Sequence, residues 1–103
     1  MYARNVQLNL KANSAREFTR MLESDVLPVL KKQAGFKDEI TFLGANGTNA
    51  LAISLWDKQE QADAYNRDTY PQVLQSLAKF VDGTPRVDSY EVANSTFHKI
   101  EAK

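Results

Sequence analysis

The sequence predicts an α+β domain with the element order βαββαβ, folded as a four-stranded antiparallel sheet with two helical stretches on one face. Three observations carry this reading. Residues 3–11 alternate strictly between apolar and polar side chains, which is the period of a strand. Two later stretches, Phe18 to Leu30 and Ala62 to Val81, repeat apolar residues at helical spacing, so each presents one apolar face. Between them, Asn46-Gly47 interrupts two β-rich runs. That dipeptide is the strongest short-range hairpin signal, because a type I′ turn needs positive φ at both central residues.

Taken in order, the first strand points Val6, Leu8 and Leu10 one way and Asn5, Gln7 and Asn9 the other. Asn13-Ser14 then marks a helix start, with Ser14 and Glu17 spaced as a capping box,. Phe18, Met21, Leu22, Val26, Val29 and Leu30 form its apolar face. Pro28 is expected to kink this helix or end its regular part, and Gly35 to stop it in a left-handed conformation. The hairpin occupies residues 36–56. A two-residue turn sets Ala45 opposite Thr48, which places Ile40, Phe42, Leu51, Ile53 and Leu55 on one side. Thr41, Leu43, Ala50, Ala52, Ser54 and Trp56 share the other. Asp57 and Glu60 are spaced to cap the second helix, which carries Ala62 and Tyr65 and meets Asp68-Thr69-Tyr70-Pro71. Proline is tolerated at a helix start and disfavoured within one, so a break is expected at 68–70. Tyr70, Val73, Leu74, Leu77, Phe80 and Val81 then give the fresh segment its apolar face, and Gly83 and Pro85 close it. The last strand is expected over 86–98, with Val87, Tyr90, Val92 and Phe97, and Glu101 to Lys103 as a frayed tail.

Two helical stretches cover only one face of such a sheet. Leaving five large apolar side chains of the hairpin in water forfeits on the order of 8–15 kcal/mol gross. A second copy packed sheet against sheet is the expected remedy. A homodimer is therefore predicted before any chemistry.

Bulk composition narrows the function. The 103 residues suffice for one domain, and thirteen basic residues balance thirteen acidic ones. That leaves no electrostatic footprint for nucleic acid or an anionic membrane. Lys31-Lys32 suits a helix C-terminus. Without cysteine, disulfides and thiolate chemistry are excluded, which fits a reducing compartment. No apolar run reaches membrane-spanning length and no signal peptide is recognisable, so a cytoplasmic protein is expected. His98 is the only histidine, read as an exposed strand-end residue rather than a metal ligand. Asp88 and Glu91 point to opposite faces of the last strand, and Gly44 and Gly47 serve the hairpin rather than a phosphate loop. No metal site is expected.

Several segments resemble the antibiotic biosynthesis monooxygenase domain. Leu27-Pro28 through Gly35-Phe36 is similar to the exit of its first helix, and Leu51 through Trp56, followed by a capped helix, to its third strand. Tyr70-Pro71 through Leu74 and Val87 through Val92 are similar to its later half. The resemblance spans nearly all of residues 1–103, read as one such domain. It implies a ferredoxin-like subunit in a dimeric α/β barrel, with a cavity between helices and sheet. It also implies oxidation of small aromatic or quinol-type substrates without flavin, haem or metal, hence no cofactor. Two departures stand out. Cofactor-free members carry an Asn on the third strand four residues before the Trp, where this chain has Ala52. Haem-degrading relatives use a histidine on the second helix, and residues 58–81 contain none.

The candidate site residues each carry two readings. Trp56 either stacks a planar substrate or packs as a rim residue. Ala52 and Ser54, with Ala50, leave room for a cavity or for a close helix. Tyr65 and Tyr70 flank the helix break, where their hydroxyls reach a ligand or stay wet. Asn5 and Asn9, with Gln7, form a polar row that replaces the missing Asn if it faces the helices. The functional expectation is a cofactor-independent monooxygenase with a small apolar or aromatic ligand. A non-catalytic or stress-related ligand-binding dimer remains open beside it, with haem handling further behind. No strong base is visible.

Overall fold

The alternating first segment becomes β1 (Tyr2–Leu10), an inner strand of a sheet ordered β2-β3-β1-β4 and antiparallel throughout. The structure, a computed structural model, describes residues 1–97. His98 and the tail Glu101 to Lys103 lie outside the described residues. The other strands are β2 (Phe36–Leu43), β3 (Asn49–Trp56) and β4 (Val81–Glu91). Helical segments α1 (Ala15–Met21) and α2 (Leu27–Lys31) precede β2; α3 (Gln59–Asp68) and α4 (Tyr70–Leu77) precede β4. Among the described residues no helix is long and apolar enough to cross a membrane.

One parity of β1 faces the helices. Val6, Leu8 and Leu10 are buried there with Phe18, Met21, Leu22, Val26, Leu30, Val73 and Leu77 in one core. The opposite face is open, with the expected apolar set upon it. Ile40 and Phe42 are 45% and 49% exposed, beside half-buried Leu51, Ile53 and Leu55. Tyr90, paired with Ala3, extends the patch, and Phe97 joins Ile40, Phe42, Ile53 and Leu55 around a groove of about 460 Å³.

The hairpin keeps the expected register, Ile40 opposite Ile53 and Phe42 opposite Leu51, through a different turn. Gly47 N–H donates to Gly44 O (3.0 Å) and Gly44 N–H to Asn49 O (2.8 Å), so the loop spans Ala45 to Thr48 rather than two residues. Only Gly47 has positive φ, at +74°; Asn46 instead accepts a bond from Thr48 N–H through its side chain (3.0 Å). An asparagine-headed loop leaves the same strand residues opposite each other as a type I′ turn does, which is why the register survives.

Both expected capping pairs are corrected. Ser14 occupies the N-cap but makes no capping hydrogen bond. The α3 N-cap is Lys58, one residue beyond Asp57, and its N–H donates to Gln61 Oε1 (3.1 Å). Gly35, at φ +80°, ends the first helical stretch as expected, and a Cβ there would run into the Gln61 side chain. Pro28 acts through its neighbours. Residues Leu22–Val26 form a π-helical turn in which Leu27 N–H reaches back to Leu22 O. The wider turn accommodates the bonding frame that a proline four residues beyond Ser24 disrupts.

The largest boundary error concerns β4. It begins at Val81, not 86, and ends at Glu91, so Gly83 and Pro85 lie inside a strand rather than closing a helix. Register slips between Gln7–Arg86 and Asn9–Asp82. Gly83, at φ +71°, sits in this bulge, and β4 is an edge strand, where proline's missing N–H is tolerated. Val81, placed on the helix face by its spacing, is instead a buried strand residue.

Candidate functional site

The pleat that buries Val6 and Leu8 also aims Arg4 at the helices, opposite Ser54 on β3 and Ser89 on β4. Its side chain is 3% exposed. Above it, the break between α3 and α4 places Thr69 at φ −120°. In a continuous helix residues five apart point about 140° away from each other. The break lets Tyr65 and Tyr70 approach instead, their ring centres 6.2 Å apart. Both rings meet the Arg4 guanidinium, whose carbon lies 4.0 Å from the Tyr70 centroid and 5.1 Å from that of Tyr65. Arg4 Nη2 donates to Asn66 Oδ1 at 2.8 Å. By hydrogen-bond geometry Arg4 Nε and the Tyr70 hydroxyl are buried without partners, although a looser side-chain contact between the guanidinium and that hydroxyl favours the charged forms of both.

Among the described residues the ion pairs are Arg67–Asp68 and Arg86–Asp88; Arg4 has none. An uncompensated buried charge costs several kcal/mol. Burial accordingly lowers the Arg4 pKa, with the neighbouring tyrosines opposing. Burial lifts the Tyr65 phenol to about 12 against the opposing Arg4 charge, and raises Tyr70 likewise. Both stay protonated at neutral pH.

Arg4, Glu39, Ala52, Ser54, Tyr65 and Tyr70 form the mixed end of a cavity of about 40 Å³; Val6, Leu8, Phe18, Leu22, Val26, Leu30, Val73 and Leu77 form its apolar end. Such a volume holds a few waters. Val26 and Val73 also wall a cleft of about 130 Å³ that runs between the π-helical turn with α2 on one side and α4 on the other.

Glu39, opposite Ser54, is the acid of this cavity, and its Oε2 accepts from Thr41 Oγ1 at 2.7 Å. Burial raises its pKa, partly offset by Thr41. The folded state therefore holds this proton more tightly than the unfolded chain. Its stabilising share is complete below the ordinary glutamate range and fades as pH rises through the folded pKa. Glu39→Gln is expected to gain thermal stability over the parent at ~pH 8 and to lose that advantage by ~pH 4, as followed by circular dichroism melts.

The other expected residues distribute as follows. Ala52 and Ser54 line the cavity. Trp56 is fully buried, donates from Nε1 to Ser54 Oγ (2.9 Å), and packs on Tyr65 at 5.2 Å and edge-on to Phe36 at 5.7 Å. It meets the cavity only through Tyr65 and Ser54. Asn5 and Asn9 face away from the helices: Asn5 sits opposite Ile53 and Asp88, Asn9 opposite Asn49 and Asp82. The condition for their role at the site, a polar row facing the helices, is not met. Arg4, Glu39 and Asn66 were missed. Arg4 carried a signal, since it shares the parity of Val6 and Leu8; Glu39 shares that of Thr41.

The antiparallel β2-β3-β1-β4 sheet, covered on one face by two interrupted helices, is a fold shared with solved structures named as antibiotic biosynthesis monooxygenases. Among solved structures it is similar to the monooxygenase ActVA-Orf6 of Streptomyces coelicolor, in complex with nanaomycin D (TM-score 0.78, 10% identity, 91% of this chain and 88% of that one). It is also similar to SnoaB, a cofactor-independent oxygenase from Streptomyces nogalater (TM-score 0.74, 10% identity, 92% and 95%). A third is a protein of unknown function from Nitrosomonas europaea (TM-score 0.76, 16% identity, 92% and 91%). No family sequence model and no curated protein sequence matches the chain. At these identities the likeness is one of fold.

Proposed function

We propose that this chain is a cofactor-independent monooxygenase of small aromatic, quinol-type substrates, working as a cytoplasmic homodimer. The observation that carries this reading is the pair of buried, unpartnered donors, Arg4 Nε and the Tyr70 hydroxyl, beside a cavity in a fold shared with oxygenases. In this mechanism Glu39, whose buried carboxyl holds its proton more tightly than an exposed one, relays the proton still carried by the reacting substrate to the departing oxygen. Tyr70 and Ser54 hydrogen-bond the substrate oxygen, and the apolar end keeps water from the anion. The anion then reacts with dioxygen itself: one oxygen atom stays on the substrate, the other leaves as water, and the substrate supplies the electrons. The open face of Ile40, Phe42, Ile53 and Leu55 supports the dimer, and the cysteine-free sequence suits a reducing compartment,.

Oxygen-electrode assays with a panel of hydroquinones and anthrones test the reading. Oxygen uptake should track product formation, and Tyr70→Phe should cut turnover by about 100-fold, as loss of one oxyanion donor does, with a smaller loss of ligand affinity. Equal turnover with and without oxygen removes oxygenase chemistry.

A further inference from the structure

We infer that the cavity selects ligands that arrive as anions: acidic hydroxyquinones, phenols or enols whose ionised oxygen docks on the Arg4 guanidinium beside Tyr65 and Tyr70. This rests on the oxygenase reading for the ligand's aromatic character and deepens it by naming the charge of the substrate that binds.

Arg4 is 3% exposed, yet among the described residues no carboxylate lies within ion-pair distance of it. Asn66 satisfies Nη2, while Nε and the nearby Tyr70 hydroxyl stay buried and unsatisfied. A guanidinium offers donors only, so an acceptor must complete it, and a charged acceptor bonds about twice as strongly as a neutral one. A neutral ligand would displace cavity water and leave the buried charge uncompensated. An anion pairs with a charge that the fold has already taken out of water, so only the ligand's own desolvation is newly incurred,. The tyrosine rings on the guanidinium add flat apolar surface beside the charge, which suits an aromatic anion better than a compact inorganic one. Among the described lining residues Glu39 is the one acid, and its raised pKa limits repulsion.

Isothermal titration calorimetry under nitrogen compares 2-hydroxy-1,4-naphthoquinone, ionised at neutral pH, with its neutral analogue 2-methoxy-1,4-naphthoquinone. The hydroxyquinone should bind at least about tenfold tighter, the least that one charge-assisted hydrogen bond supplies. Arg4→Gln should level the two ligands, and Arg4→Lys, which keeps the charge, should retain part of the preference. Should Arg4→Gln fail to fold, the parent and Arg4→Lys still decide. Equal affinities in the parent, no binding of the hydroxyquinone, or a preference that survives Arg4→Gln overturns the inference. With oxygen absent, the two readings fail separately. Anion preference without oxygen uptake on the quinol panel removes the oxygenase alone; oxygen uptake with equal affinities removes anion selectivity alone.

Discussion

Arg4→Met should give a protein at least as stable as its parent and nearly devoid of oxygenase turnover. The guanidinium is buried among Tyr65, Tyr70 and Asn66, and among the described residues no carboxylate lies within ion-pair distance of it. Methionine fills similar space without carrying a charge out of water. The loss of the cation–π contact and the Asn66 bond partly offsets that relief. The balance runs from no change to a gain of about 2 kcal/mol, read by urea unfolding at neutral pH. Turnover should fall by about 100-fold or more, because the developing substrate anion loses its nearest full positive charge. This opposition of stability and activity is the signature of a group held for function. A less stable variant with parental kinetics would assign Arg4 to packing instead.

The second large effect is expected at the open face. Ile53→Asp should convert the proposed dimer into single 11.6 kDa chains, measured by size-exclusion chromatography with light scattering at micromolar concentration. Ile53 lies between Ile40 and Asn5 across the sheet, on the face without helices, so the subunit core does not depend on it. Burying an unpaired carboxylate between two sheets costs several kcal/mol, enough to dissociate a modest interface. A parent that already runs as a lone, well-folded subunit refutes the dimer.

The hairpin was readable because its period-two pattern runs on through both strands and fixes which residues share a side. The helix break at Thr69 was readable because Pro71 permits few alternatives. Other features depend on contacts between distant residues. Alternation in β1 separates two rows but does not say which one the helices cover, so the amide row Asn5, Gln7 and Asn9 was available to either face. Its companion row decided the chemistry: Arg4 begins an apolar run, and its meaning depends on the helix break sixty-odd positions later. Glu39 reads as one of several hairpin charges until pairing with Ser54 turns it inward. The β4 boundary failed for a local reason. Gly83 and Pro85 are ordinary stop signals, and only a bulge on an outer strand lets the ladder run through them.

That bulge also bears on how copies of the chain can meet. Proline at position 85 removes a backbone donor from β4, and Gly83, at φ +71°, lies in the same register shift. At the opposite rim, register slips between Phe36 and Asp38, where Lys37, Asp38 and Glu39 crowd charge onto β2. Neither border is a good template for adding another strand. Lateral growth into ribbons is thus discouraged at both ends, which suits the proposed face-to-face pair, an assembly that closes at two members.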